Sequence, residues 1–319
     1  MSAPVVMPLE PTPERLFNPL LRYALATRPT FLTITLAGCL LGFATAWSGD
    51  IPFNFMTAMA ALLLALLAHA GINVLNDYYD YLNGTDAANL GRIFPYTGGS
   101  RFIQNGVLTP LQTLAFGLGL FALVMASGLW LLAQSGPGLF WIGLAGLFIG
   151  WAYSAPPFKL NSRGLGEVCV AAGFLLIVAG ADFVQRGTYT GIPWLAGLPY
   201  ALLTTNILFI NQFPDREADA LAGKCHWVVR LAPERAARGY VLIALAAAVV
   251  LGSGVIAGVL PDWALLSLAG MLPSIPAARR LLRDCRQPSL LTPAIHGTLL
   301  SAHLHAIMLA AILLLEGWR

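Results

Sequence analysis

Nine apolar runs dominate the chain, at residues 29–48, 53–76, 111–133, 138–155, 165–184, 193–213, 239–260, 262–281 and 294–315. Each is close to the length of helix that crosses the hydrocarbon core of a bilayer. Their internal glycines and other small residues suit close helix packing in lipid. The connections are short except for residues 77–110 and 214–238. The pattern predicts an all-α polytopic membrane protein, a bundle of nine transmembrane helices with loops capping a central cavity. Residues 1–27 carry Pro4, Pro8, Pro11, Pro13, Glu10 and Glu14 and lack the basic-then-apolar order of a signal peptide. They read as a cytoplasmic N-terminal segment ahead of one transmembrane domain over 28–319.

Composition agrees: the chain is 57% apolar and 10% charged, where a soluble domain carries about 25% charge. Charge placement then sets orientation. With the N-terminus inside, sixteen of the 18 Lys and Arg fall in inside loops or at the inside end of a run, and only Arg186 and Arg319 fall outside. Such bias marks the cytoplasmic side, so the C-terminus is expected outside, in a bacterial inner membrane. No basic arm suggests a nucleic-acid partner. Cys39, Cys169, Cys225 and Cys285 stand singly and read as small apolar fillers.

Acids are scarce, and the two long inside connections carry two clusters of them, Asp77, Asp80 and Asp86 in the first and Asp215, Glu217 and Asp219 in the second, six of the 15. Asp77 and Asp80 are three apart and Asp215 and Asp219 four apart, so each pair shares a helical face. The last turn of a helix carries partial negative charge, which disfavours carboxylates and calls for a cation. Pro214 predicts a kink or a fresh helix start ahead of Asp215. Each cluster has Asn four residues before its first Asp, Asn73 and Asn211, an echo suggesting a worn duplication.

Aspartate pairs with few other ligands suit Mg²⁺, which binds through one or two carboxylates and substrate phosphates. No acid or Cys accompanies the five histidines at ligand spacing, so they read as structural. Two facing Asp pairs can hold Mg²⁺ around a diphosphate. Arg101, Lys159, Arg163 and Lys224 are the candidate bases, each also readable as an ordinary inside charge. The amides of Thr97-Gly98-Gly99-Ser100 can approach an anion. A diphosphate at the mouth of a lipid-embedded bundle suggests a prenyl diphosphate, whose ionisation leaves a carbocation open to attack by an aromatic ring. Tyr78, Tyr79, Tyr81, Phe94, Tyr96, Phe102, Trp151, Tyr153 and Phe158 crowd the inside ends. They read either as cation-stabilising faces or as an interfacial belt.

These residues resemble the UbiA-type intramembrane aromatic prenyltransferases over about residues 20–316. Asn73-x-x-Asn76-Asp77-x-x-Asp80 matches the first Asp-rich motif. Asn211-x-x-x-Asp215-x-x-x-Asp219, followed by Gly223-Lys224, matches the second. The resemblance implies nine helices and Mg²⁺ at the catalytic Asp77, Asp80, Asp215 and Asp219. It also implies a prenyl diphosphate donor held with Asn73, Asn76, Arg101, Lys159, Arg163, Asn211 and Lys224. Asp86 of Gly84-x-Asp86, Thr97-Gly98-Gly99-Ser100-Arg101, Tyr153-Ser154-x-Pro156-Pro157-Phe158-Lys159 and Arg163-Gly164-Leu165-Gly166-Glu167 are similar to the branch that prenylates 1,4-dihydroxy-2-naphthoate for menaquinone. Asp86, Tyr153 and Glu167 therefore join the candidate site. Another aromatic acceptor such as 4-hydroxybenzoate is the alternative.

One stretch departs from the family pattern. Where Lys-x-Thr-Leu-x-Val-Arg-Leu-Gly is usual, this chain has Lys224-Cys225-His226-Trp227-Val228-Val229-Arg230-Leu231-Ala232, which predicts a reshaped pocket or a divergent acceptor. The rival classes fit less well. A lipid or ion transporter usually places acids at mid-membrane, not at segment ends. A CDP-alcohol phosphotransferase would need an Asp-Gly…Ala-Arg pattern that is missing. A decayed, non-catalytic homologue would not keep all four aspartates.

Overall fold

Asparagine, threonine and proline set where the helices begin. The computed structural model describes residues 9–317, so Pro4, Pro8 and Arg319 lie outside the described residues. Asn18 caps α1 (Pro19–Ala26), accepting from Leu20 N at 2.9 Å. α2 (Pro29–Trp47) opens on proline, which needs no amide partner there. Asn54 caps α3 (Phe55–Asn83) through Met56 N at 3.1 Å and Thr57 N at 3.2 Å. Gly84, at φ 82°, turns the chain out of α3 into the short α4 (Thr85–Ala88). Thr109 and Gln112 form a capping box on α5 (Pro110–Ser135). The later helices are α6 (Leu139–Ser154), α7 (Gly166–Arg186), α8 (Ile192–Leu221), α9 (Trp227–Arg230), α10 (Pro233–Ile256), α11 (Ser274–Asp284) and α12 (Thr292–Glu316). No strand occurs among the described residues.

Seven helices are long and apolar enough to cross a membrane: α2, α3, α5, α7, α8, α10 and α12. The other two expected spans take a different form. Residues 138–155 give α6, of 16 residues, or roughly 24 Å against a hydrocarbon core of about 30 Å. Residues 262–281 are not one helix. A 3₁₀ segment, Asp262–Met271, leads through Leu272-Pro273 into α11. Pro273 lacks an amide hydrogen, so the chain changes helix type there.

α8 is the central helix, packed against α7, α10, α12 and α2. Its apolar face joins Leu41, Leu251, Leu309 and Leu313 in the largest core cluster, around Tyr200. Two of its buried polar side chains pair with backbone carbonyls of neighbouring helices, as backbone in a lipid-embedded bundle favours. The Tyr200 hydroxyl donates to Ile34 O, and Asn206 Nδ2 donates to Tyr240 O at 3.0 Å. Pro214 does not start a new helix; α8 runs through it to Leu221. The φ of proline is itself helical, and buried Gln212 and Phe213 before it and Ala218 and Asp219 a turn after it hold the helix in place. Asp215 and Asp219 therefore ride the last turns of one continuous helix.

At the opposite end, Gly42 lets α2 approach α7: a Cβ there would stand 2.2 Å from Val178 O. Beside it, Arg186 Nε donates to Asp182 Oδ2 at 2.9 Å, and Thr45 Oγ1 donates to Asp182 Oδ1 at 3.0 Å. Arg186 Nη2 also donates to Thr45 O at 2.9 Å. The ion pair is buried, so removing one partner strands the other. Asp182→Ala is expected to cost about 3–5 kcal/mol, read as a lowered thermal transition in detergent. An unchanged transition would show that Arg186 finds solvent instead.

Candidate active site

α3, α8 and the two long connections meet at a polar cavity of about 310 Å³. The last turns of α3 and α8 deliver Asp80, Asp215 and Asp219 to its wall, and α4 adds Asp86. Asn73, Asn76, Tyr153, Asn211 and Lys224 also line it. Lys224 joins the two motifs: its Nζ lies 2.8 Å from Asp80 Oδ1 and 3.4 Å from Asp219 Oδ1. Burial opposes the Lys224 charge, but Asp80 and Asp219 outweigh it and push the pKa up. The lysine stays an ammonium. Asp86 shifts the opposite way from an exposed carboxyl: burial, then the charges of Asp80 and Asp77, raise its pKa well above the usual range.

The Gly-rich loop has a clear task. Ser100 N donates to Asp77 Oδ1 at 3.2 Å and Gly98 N to Asp215 Oδ2 at 3.3 Å. The anions its amides meet are thus aspartates of both motifs. Asn89 Nδ2 adds a donor to Asp215 Oδ1 at 2.5 Å. Only glycine fits at 99, where φ is 72° and a Cβ would fall 2.3 Å from Asp86 Oδ2.

Several sequence candidates stand back from the cavity wall. Asp77 is buried against the Ser100 amide. Arg101 is buried, donates to Asp86 O, and approaches Glu10 Oε2 at 4.0 Å. Glu10 also accepts from Arg92 Nε at 2.7 Å, which ties the N-terminal segment over this loop. Lys159 is exposed, and Arg163 is exposed with its Nη2 donating to Pro157 O at 2.8 Å. Glu167 lies behind Gln212, accepting from its Nε2 at 3.1 Å. Of the nine aromatics at the inside ends, Tyr96 and Tyr153 line the cavity, joined by Phe31 and Phe174 from α2 and α7.

Arg28 is the residue that sequence reasoning missed, having counted it only as an inside charge. It lines the cavity in a left-handed conformation, φ 57°. Its Nη2 donates to Tyr96 O at 3.0 Å, its guanidinium lies 4.7 Å over the Phe31 ring, and its buried Nε has no hydrogen-bond partner. A non-glycine residue in that conformation, immediately before Pro29, places a cation at the mouth of the first span. The Arg-Pro step at the start of α2 was the available signal. His69 also reaches the wall, with Nδ1 2.7 Å from Thr35 Oγ1.

Below the polar cavity an apolar one of about 640 Å³ runs between α3, α5, α6 and α7. The two share Ala65, Ala68, Gly146, Gly173 and Ile177. A Cβ at Gly146 or Gly173 would meet nothing within 4 Å, so these glycines leave the passage open. The arrangement accepts a charged head and a long apolar tail in one molecule.

The donor set also fits a hard cation. The wall offers carboxylate and amide oxygens, and Asp219 Oδ1, Asn211 Oδ1 and Gln212 Oε1 are buried without a hydrogen-bond partner. No group of three or more His, Cys, Asp and Glu converges into a metal cage among the described residues. The unpartnered oxygens suit Mg²⁺, which takes few protein ligands and completes its shell with phosphate and water.

A membrane bundle with an acid-lined head cavity over an apolar channel defines a class of lipid-handling protein. The chain belongs to the UbiA prenyltransferase family, whose model matches residues 35–292. It is an integral membrane prenyltransferase. It is 27% identical to the 2-carboxy-1,4-naphthoquinone phytyltransferase of Synechocystis, over 82% of this chain and 81% of that one. It is 26% identical to the 1,4-dihydroxy-2-naphthoate octaprenyltransferase of Mycobacterium leprae, over 91% of this chain and 95% of that one. The fold matches a UbiA homologue from Archaeoglobus fulgidus bound to DMAPP and Mg²⁺, with a TM-score of 0.55 at 19% identity, covering 90% of this chain and 99% of that one.

Proposed function

We propose that the protein transfers a polyprenyl group from an allylic prenyl diphosphate to a ring carbon of 1,4-dihydroxy-2-naphthoate, giving the reduced (quinol) form of demethylmenaquinone with loss of diphosphate and carbon dioxide. The observation that carries this reading is the joined cavity: an acid-lined head site opening into an apolar channel. The name of the Mycobacterium leprae relative supports this acceptor, and that of the Synechocystis relative a carboxylated naphthalene ring. Asp80, Asp215 and Asp219 would hold Mg²⁺, which would supply the positive charge that stabilises a departing diphosphate.

The chain's own residues do the rest. Lys224 donates to the diphosphate oxygens, and Asn73, Asn76 and Asn211 offer amides beside them. Asp77 holds the Gly98–Arg101 loop, and the loop holds Asp215. The allylic C–O bond breaks with its electron pair leaving on the diphosphate. Phe31, Phe174, Tyr96 and Tyr153 face the resulting cation, and the apolar walls keep water from it. A ring-carbon electron pair then forms the C–C bond. The ring carboxylate leaves as carbon dioxide, returning its pair to the ring. Arg28, the second cation of the cavity, is suited to the carboxylate of that acceptor.

The N-terminus and the cavity face the cytoplasm, as the inside arginines favour. α6 and the Asp262–Asp284 segment complete nine crossings. Ten 3₁₀ residues and the part of α11 ahead of Arg279 reach about 28 Å together, close to the thickness of the hydrocarbon core. Product mass from purified protein, Mg²⁺, several prenyl diphosphates, and either dihydroxynaphthoate or 4-hydroxybenzoate tests the reading. Product from hydroxybenzoate alone would overturn the acceptor. Arg28→Gln is expected to raise the KM for the acceptor about 10- to 100-fold, the loss of a charge-assisted hydrogen bond, with the KM for the diphosphate nearly unchanged. The reverse split would move Arg28 to the diphosphate.

A further inference from the structure

His226 is one of the residues at which this chain departs from its family pattern, and it sits on an aspartate of the second motif. The backbone that carries it is fixed from several sides. Lys224 N donates to Asp219 O at 2.8 Å, and Cys225 N donates to Ser162 O at 2.9 Å. The His226 carbonyl accepts from Val229 N at 3.1 Å and Arg230 N at 3.0 Å as the first turn of α9. Trp227, the neighbouring departure, is turned away, with the Arg230 guanidinium 5.8 Å from its ring. The His226 ring is 3% exposed and lines the cavity.

Its Nε2 lies 2.9 Å from Asp219 Oδ2. An ionised carboxylate only accepts hydrogen bonds, so this nitrogen carries the hydrogen. Nδ1 is buried without a hydrogen-bond partner, and so is the other aspartate oxygen, Oδ1, which has only Lys224 Nζ at 3.4 Å. Asp80 is arranged similarly, with both Lys224 Nζ and Asn83 Nδ2 on its Oδ1.

We propose that His226 is a positioning residue that locks the Asp219 carboxylate by Oδ2, so that Oδ1 is the oxygen left for the divalent cation that would accompany the substrate diphosphate. The inference rests on the prenyl-diphosphate reading of this cavity. The physical need comes from helix geometry. Asp219 stands in the last turn of α8, where the carbonyl ends repel its charge and an unheld carboxylate would swing away. A donor on a rigid loop removes that freedom before the ligand arrives, which is how outer partners of metal ligands raise affinity. Lys224 Nζ, at 3.4 Å from Oδ1 and 2.8 Å from Asp80 Oδ1, stands where it would also meet a phosphate oxygen.

The test is a Mn²⁺ titration, read by electron paramagnetic resonance, on the full-length protein in lipid nanodiscs with geranyl thiodiphosphate. His226→Met keeps much of the volume and loses the donor; His226→Ala loses both; His226→Gln keeps an N–H of similar reach. Met and Ala are expected to weaken Mn²⁺ binding about 10- to 100-fold, with Gln within about threefold of the unaltered protein and the acceptor KM unchanged in all three. Unchanged Mn²⁺ affinity in Met and Ala would overturn the proposal. So would equal weakening in Gln, which would make the effect one of packing. Asp219→Asn in the same titration separates the two levels. If it loses Mn²⁺ while the His226 variants keep it, only the role of His226 falls. If it too binds normally, the cation reading of the cavity falls as well.

Discussion

Asp215→Ala is expected to lower the rate of prenyl transfer by at least about 10³-fold, to no detectable product in a membrane assay read by mass. Removing one preorganised electrostatic partner of a transition state costs about 10²–10³. Asp215 has a further role, because Asn89 and Gly98 both anchor on it. Losing the carboxylate therefore removes cation-binding charge and frees the Gly-rich loop together. Asp77→Ala tests the second effect by itself, since Asp77 holds the same loop through Ser100 from behind the wall. Its loss should be smaller and should include a lowered thermal transition. Normal product formation by Asp215→Ala would remove the paired-motif mechanism altogether.

Lys224→Met is expected to reduce kcat/KM for the prenyl diphosphate by about 10²–10³-fold, roughly 3–4 kcal/mol. Lys224 is the buried ammonium between Asp80 and Asp219. Without it two carboxylates share a buried site with no protein cation between them, and one of them must take up a proton. The variant should therefore depend more steeply on Mg²⁺ and lose thermal stability in its absence. Lys224→Arg should recover little, because the fork of a guanidinium does not replace a compact point charge reaching both aspartates. Steady-state kinetics across a Mg²⁺ series, with thermal scans in chelator, checks both parts. A variant with unaltered kcat/KM would leave Lys224 as a structural counter-ion only.

The acid motifs were legible because acids are rare in an apolar chain and their spacing fixes a helical face whatever surrounds it. Lys224 was legible for a related reason: it follows Asp219 by five residues, so a short turn was bound to bring it back. Arg101, Lys159 and Arg163 lie on the same side of the bundle and looked equivalent to it. The fold turned one towards Asp86 O and Glu10 and left the other two in solvent. Sequence distance carries no information about which way a loop faces.

The chain by itself determined its all-helical membrane class, the positions of most crossings and the residues of the two Asp-rich motifs. Those follow from local quantities: apolar run length, charge bias and helical repeat. Only the tertiary structure decided that Arg28 enters the cavity, that the Gly98–Arg101 amides hold the protein's own aspartates, and that His226 takes one oxygen of Asp219. It also decided that α8 passes straight through Pro214 while Asp262–Asp284 breaks at Pro273. The same residue type gave opposite outcomes because packing on both flanks supports the first turn, while the second joins segments of different helix type. Those outcomes depend on partners remote in the chain, and their energies come from burial and pairing that no local window contains.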